Sequence, residues 1–200
     1  MSSTPARRTG RRSGTTRTRE EIAAAARTQF AKLGFERATF RSIAAAAGVD
    51  PALVVHFFGS KEELFREVMK LPPAVTDALV GIVEAPHEQL GRRFAEVILG
   101  VLENPVTRPV VLGRIRCASS HPVAAELVRE TVTRELARLT AAITDDRPEE
   151  RAVLVGAHVV GIALARYIVL VEPLASLPAA DVIELVAPTF QHYLAGPLTA

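Results

Sequence analysis

A chain of 200 residues with one cysteine, Cys117, has no material for an internal disulfide. Stability must come from a packed core, and this length suffices to bury one as a single medium domain or two small ones. A lone thiol fits a reducing interior, so a cytoplasmic protein is expected. No apolar stretch follows Arg7, Arg8, Arg11 and Arg12, so the middle segment of a secretory signal is missing. Also missing are a glycine-rich phosphate loop, a Cys–His–acid or Ser–His–Asp grouping, and any ligand pattern among the five histidines. These absences speak against an enzyme, a cofactor and a metal. Cys117 and His121 do stand four residues apart, yet Pro122 breaks a helix there and two ligands make a poor site. Beyond Pro73 no stretch alternates apolar and polar residues as a half-buried strand does, so an all-α fold of about nine to ten helices is expected.

What is present is divided unevenly. Through Lys61 there are eleven Lys and Arg against four Asp and Glu, a balance of +7, which leaves −5 for the rest of a chain whose total is +2. A basic front and an acidic, apolar rear fit a protein that meets a polyanion with its front alone; a solvated basic tail on an ordinary domain fits charge equally well. Residues 1–16, rich in Ser, Thr, Gly and Arg without apolar periodicity, read as a disordered basic arm.

From Thr18 the pattern is helical. Thr18 with Glu21 has capping-box spacing, and Ile22, Ala25, Ala26, Phe30 and Leu33 recur on one face up to a stop at Gly34. Thr39 is placed to cap a second, short helix that ends at Gly48, with Ile43, Ala44 and Ala47 as its apolar face. After the turn Gly48-Val49-Asp50, Asp50 caps a third helix whose first residue is Pro51, where a missing N–H costs nothing. Ser60 and Glu63 form another capping box, opening a fourth helix that buries Leu64, Phe65, Val68 and Met69. Two short helices joined by a glycine-containing turn, here residues 39–58, have the geometry that sets a second helix into the major groove. Thr39 and Ser60 stand at helix ends whose N–H groups suit phosphates, and Arg41 and Lys61 add charge beside them.

Proline and polar breaks divide the rear into expected helices at 74–84, 87–103, 106–118, 122–143, 147–171 and 179–194. The stretch 152–171 is apolar nearly all round and long enough to span a bilayer. His158 and Arg166 lie inside it and no second span exists, which favours burial on both sides over a membrane. One side then faces its own core. The other meets a partner subunit across the small residues Ala157, Gly161 and Ala165, or the helix is simply central in a monomer.

The run ATFRSIAAAAGVDPALVVHFFGSKEELF, Ala38 to Phe65, resembles the DNA-binding domain of the TetR family of bacterial regulators. The matching positions are Thr39, Ile43, Ala44, Ala47, Gly48, Val49, Pro51, Val54, Phe58, Ser60, Lys61, Leu64 and Phe65, preceded by Phe30 and Gly34-Phe35. The resemblance covers roughly residues 17–70. It implies a helix-turn-helix domain over 17–71 and a ligand-binding and dimerisation bundle over 74–200. In such proteins the residue before the recognition helix and its first turn face base edges and phosphates, here Asp50, Pro51, Ala52 and Leu53. Aromatic residues usually stand at the positions of Val55 and His56, and a His at that of Phe57, so this chain departs at all three. His56 can still donate to a phosphate, Val55 offers only apolar contact, and Phe57 faces either bases or core. Asp50 has the wrong sign for phosphate and caps its helix instead. With few donors on the recognition helix, affinity would rest on phosphate contacts and on Arg7, Arg8, Arg11 and Arg12 entering the minor groove.

The resemblance further implies a homodimer on double-stranded, roughly palindromic operator DNA, joined by the last two helices. Leu154, Gly161, Leu164, Ile168, Val182, Leu185, Val186 and Phe190 are the interface candidates. It also implies a small-molecule effector in a largely apolar pocket, lined from Phe94, Ile98, Leu102, Val111, Ile115, Leu127 and Leu164, with Arg114, Arg116, His158 or Tyr167 as polar anchors. His158 has a second reading as a satisfied core histidine, and Arg166 is expected to pair with an acid such as Glu172 of either subunit. A repressor released by its ligand is the expected function. An activator or a ligand-independent regulator is the alternative, and an enzyme or membrane-associated helical protein the remote one.

Overall fold

Ile22, Ala26 and Phe30 are fully buried, one turn apart, along α1 (Gly10–Arg37), the helix that opens the fold. A computed structural model of the chain describes residues 10–198, with side chains from Thr16 onward. The helix starts well before the expected cap, so Gly10 to Thr16 are helical and not a disordered arm. Thr18 and Glu21 therefore sit inside α1, where Glu21 pairs with Arg17 at 2.9 Å. Of the arm arginines, Arg7 and Arg8 and the side chains of Arg11 and Arg12 lie outside the described residues. The stop expected at Gly34 is a real break, because Gly34 leaves helical space at φ 77° and ψ 174°.

Three short helices complete the front unit, which ends at Val68: α2 (Phe40–Ala47), α3 (Pro51–Phe58) and α4 (Lys61–Val68). Their buried faces are Ile43 and Ala44, Val54 and Phe58, and Leu64, Phe65 and Val68. At the centre the Phe65 ring meets Phe30 edge-on at 4.9 Å and Phe35 at 5.3 Å. Each buried phenylalanine contributes about 1.5–3 kcal/mol by leaving water, and edge-to-face pairing adds to it.

The rear unit begins at Met69. Its helices are α5 (Pro73–Val80), α6 (Leu90–Glu103), α7 (Arg108–Ala118), α8 (Pro122–Glu130), α9 (Ala137–Ile143), α10 (Pro148–Ala163) and α11 (Ala179–Ala195). The proline breaks fall where expected. Two wide π-type turns were not foreseen: Thr131–Leu136 joins α8 to α9, and Leu164–Val169 prolongs α10. Among the described residues there is no strand.

α6 and α11 cross at Gly91, which has no room for even a methyl group: a Cβ there would lie 2.2 Å from the Gln191 backbone nitrogen. The Gln191 side chain closes this crossing, accepting from the Gly91 N–H at 2.7 Å and donating to the His87 carbonyl at 2.8 Å. Phe94 and Phe190 meet across it at 4.8 Å. Gly156 likewise lets α10 approach Val132 in the first π-type turn. Arg151, 3% exposed, donates to the carbonyls of Tyr193 and Gly196 and so ties α10 to the end of α11. Cys117 is completely buried on α7.

Pro148–Val169 is long and apolar enough to cross a membrane by length and composition. Its residues divide by side. Ala152, Val155, Ile162 and Ala163 are buried in the rear core, while Val153, Leu154 and Leu164 are open to solvent.

Candidate nucleic-acid interface

The turn between α2 and α3 is built almost wholly from local hydrogen bonds. The Thr39 hydroxyl accepts from the Ser42 N–H at 3.1 Å while the Thr39 N–H reaches the Ser42 hydroxyl at 3.0 Å, a reciprocal cap in which Ser42 replaces the usual Glu. Gly48 ends α2 at φ 67°, the left-handed conformation that glycine adopts without strain. The Asp50 carboxylate accepts from the Ala52 N–H at 2.7 Å, and Pro51 is the first residue of α3. Asp50 is thus a cap, as its charge implied. At α4 the Ser60 hydroxyl accepts from the Glu63 N–H at 3.1 Å, and the Glu63 carboxylate accepts from the Ser60 N–H at 2.8 Å. That bond from the Ser60 backbone, with the one from its side chain, holds the Glu63 carboxyl below its ordinary value.

Between these caps lies an open surface. Thr39, Arg41, Asp50, Pro51, Ala52, Leu53, Val55, His56 and Ser60 are all exposed. Val55 is 49% exposed although nothing in its chemistry favours water. The opposite side of α3, Val54 and Phe58, is core. Phe57 is half-buried, between its two readings, with its ring 5.3 Å from His56 and 6.5 Å from Phe58. Lys61 is less free than the sequence implied. Its ammonium lies 4.4 Å from the Phe35 ring centroid and donates to the Glu36 carbonyl at 3.2 Å.

One residue the sequence did not single out supports this surface from behind. The Arg19 guanidinium stacks 4.9 Å from the Phe58 ring centroid and pairs with Glu67 at 2.6 Å, bracing the end of α3 against α4. Forty-eight positions separate Arg19 from Glu67, and no local pattern signals the pairing.

The rear unit holds a second candidate site, an apolar cavity of about 90 Å³. Ile98, Leu102, Val111, Arg114 and Ile115 line it, as expected. The other walls come from α5, α8, its π-type turn and α10, with Val75, Leu79, Val128, Val132 and Val159. The remaining pocket candidates lie elsewhere. Phe94 is spent against Phe190, and Leu127 is buried outside the cavity lining. Leu164 is 42% exposed. Tyr167 donates its hydroxyl to Glu103 at 2.6 Å, and that bond, more than any other influence, holds the Glu103 carboxyl below its ordinary value. Arg166 pairs with the same Glu103, not with Glu172. His158 stands edge-on to Phe190 at 5.0 Å, and desolvation lowers its pKa, as befits a histidine packed against the core.

The interface candidates also divide. Leu154, Gly161 and Leu164 on α10 and its extension, and Leu185 on α11, are exposed; Leu185 is 65% exposed. Ile168 and Val186 are half-buried. Val182 and Phe190 are completely buried within the protomer and therefore cannot be surface contacts.

Two family models match the chain: "Bacterial regulatory proteins, tetR family" over residues 22–68, and "Tetracyclin repressor-like, C-terminal domain" over residues 88–194. Among solved structures, a TetR-family regulator from Streptomyces coelicolor A3 is 36% identical at a TM-score of 0.60, covering 92% of this chain and 98% of that one. NalD, the secondary repressor of the MexAB-OprM multidrug efflux pump in Pseudomonas aeruginosa, shares the fold at a TM-score of 0.67 with 20% identity over 92% of this chain and 98% of its own. A putative transcriptional regulator from Saccharomonospora viridis in complex with choline does so at a TM-score of 0.64, with 17% identity over 88% and 97%. No curated protein matches the sequence.

Proposed function

The chain belongs to the TetR family of bacterial regulators and is a DNA-binding regulator of transcription; from that premise we propose a repressor released from a palindromic operator by a small, largely apolar ligand. The observation that carries the operator reading is the exposed side of α3, Pro51, Ala52, Leu53, Val55 and His56, held between two capped helix ends. Apolar side chains with so much exposure lack a partner within their own unit. A major groove supplies thymine methyl groups to Leu53 and Val55, while Arg41, His56 and the N–H groups near Thr39 and Ser60 take phosphates.

The repressor-like family model that spans most of the rear unit supports the repressor sign. The cavity there is the ligand site. The open face of Leu154, Gly161, Leu164 and Leu185 is the dimer seam, and a two-fold pair would set recognition helices roughly 34–36 Å apart, in successive major grooves.

The test is fluorescence anisotropy on DNA from upstream of the protein's own gene. A symmetric site is expected to be retained against excess competitor, and Arg41→Ala with His56→Ala to weaken it by roughly tenfold for two phosphate contacts. Indifference to sequence would sink the operator reading. Deleting residues 1–14 is expected to flatten the salt dependence if the arginine arm contributes; an unchanged slope removes the arm from the interface. Leu185→Glu is expected to yield monomers by sedimentation, and a persisting dimer would move the seam elsewhere. Transcription that rises with the protein present makes it an activator.

A further inference from the structure

Arg114 is the unusual member of the cavity. It lines a space whose other walls are almost wholly aliphatic, yet only 7% of it is exposed. Its hydrogen bonds run from Nε to the Met69 carbonyl, and from Nη1 to the Leu127 carbonyl at 3.4 Å and the Thr131 hydroxyl at 2.9 Å. Every one of these acceptors is neutral. Nη2 has no protein acceptor among the described residues. Burial pulls the guanidinium down to about 10, and Glu130 opposes that shift only through space. At neutral pH the group stays charged, so a full positive charge is enclosed with dipoles but no counter-ion.

Burying a charge without a counter-ion is costly, and a chain that only needed to fill this space would do better with an aliphatic side chain. The other buried arginines show the contrast: Arg151 pairs with Asp146 and Arg166 with Glu103. Arg114 alone of these three faces a cavity.

We propose that the effector is a small monocarboxylate with a short apolar body, its carboxylate paired with Arg114 and its body lying against Ile98, Leu102, Val111 and Ile115. This deepens the ligand reading above and rests on it. A carboxylate meets a guanidinium through two parallel N–H···O bonds from two different nitrogens: Nη2 is available for one, and Nε makes the other by giving up the Met69 carbonyl. The charge balance sets the number: Arg114 is the cavity's one lining cation, which offsets one negative charge and not the two of a phosphate monoester. The volume of about 90 Å³ limits the body to a few carbons unless the walls shift.

The site also carries a consequence for signalling. Nε holds the carbonyl of Met69, the first residue after the DNA-binding unit. A carboxylate that draws the guanidinium toward itself competes with that carbonyl, and ligand binding then loosens the residue that follows α4.

The experiment is calorimetry on the full-length protein with straight-chain carboxylates from butanoate to decanoate and their matched primary amides, followed by the same ligands in the operator-anisotropy assay. Carboxylates are expected to bind at least tenfold more tightly than the amides. Arg114→Met, which keeps the stem and removes the charge, is expected to lower carboxylate affinity by about ten- to hundredfold and to leave amide affinity unchanged. Arg114→Lys is expected to fall between, since an ammonium lacks the planar fork. Equal binding of acid and amide overturns the proposal, as does absence of binding by every carboxylate. If Arg114→Met fails to fold, the acid-against-amide comparison on the unaltered protein decides alone. Calorimetry needs no DNA, so a protein that binds carboxylate but no operator would refute the repressor reading while sustaining this one.

Discussion

The two units put their polar chemistry in opposite places. In the front, Thr39, Asp50 and Ser60 spend their side chains on backbone N–H groups at helix ends, and what remains exposed is the surface proposed to meet DNA. In the rear, three arginines lie inside: Arg151 holds the end of α11, Arg166 shares Glu103 with Tyr167, and Arg114 stands in the cavity. A site that reads a rigid external polymer needs geometry fixed by short-range bonds. A site that admits a small molecule needs an enclosed and partly uncompensated interior, which only long-range packing can make.

Substitutions that strike one unit at a time can break this contrast. Phe65→Ala empties the centre of the front aromatic cluster and is expected to cost about 3–5 kcal/mol. Operator binding should vanish in anisotropy while calorimetric ligand binding by the rear survives; loss of both would show that the units do not stand apart. Gly91→Val forces a side chain onto the Gln191 backbone and is expected to cost about 3 kcal/mol. For a chain this size that is a fall in Tm of about 6–12 °C, read by circular dichroism. The α11 face should be disturbed with it, so dimer mass should fall as well.

Smaller changes sharpen the comparison. Thr39→Ala and Ser60→Ala each remove a cap and are expected to cost about 1 kcal/mol in chemical denaturation. Their effect on operator affinity should exceed their effect on ligand affinity. The smallest effect concerns His158, whose pKa in the folded chain lies below the ordinary 6.5 because burial disfavours its charged form. As pH falls below about 6.5 the unfolded chain takes up a proton that the folded one refuses, so stability is full above that value and declines below it. His158→Phe should remove that part of the slope in melts run from pH 7.5 down to about 5.5; an unaltered slope would assign it to another group.

How much was legible in the sequence follows the same division. The caps at Thr39, Asp50 and Ser60 were readable because each bond spans two or three residues and leaves a spacing behind. The helix boundaries of the rear were readable from prolines for the same reason. The cavity was not, since its α5 wall of Val75 and Leu79 is set by tertiary packing, and Tyr167 reaches Glu103 across sixty-four positions. Val182 and Phe190 show the limit of periodicity. An apolar stripe states that a face is buried, but the choice between its own core and a partner is made by the packing of α6 across α11. Thr18 failed for the converse reason: a capping pair is equally at home inside a helix whose preceding residues continue it.

Cys117 gives the rear unit a built-in clock. It is completely buried on α7, one helical turn beyond Arg114, and it is the chain's sole thiol. A thiol reagent added to the intact protein can reach it only when α7 lifts from its neighbours, so the alkylation rate counts those openings without any label being introduced. A ligand that settles on Arg114 should slow that count in proportion to its occupancy, turning one sulfur atom into a gauge of how tightly the sensing end is closed.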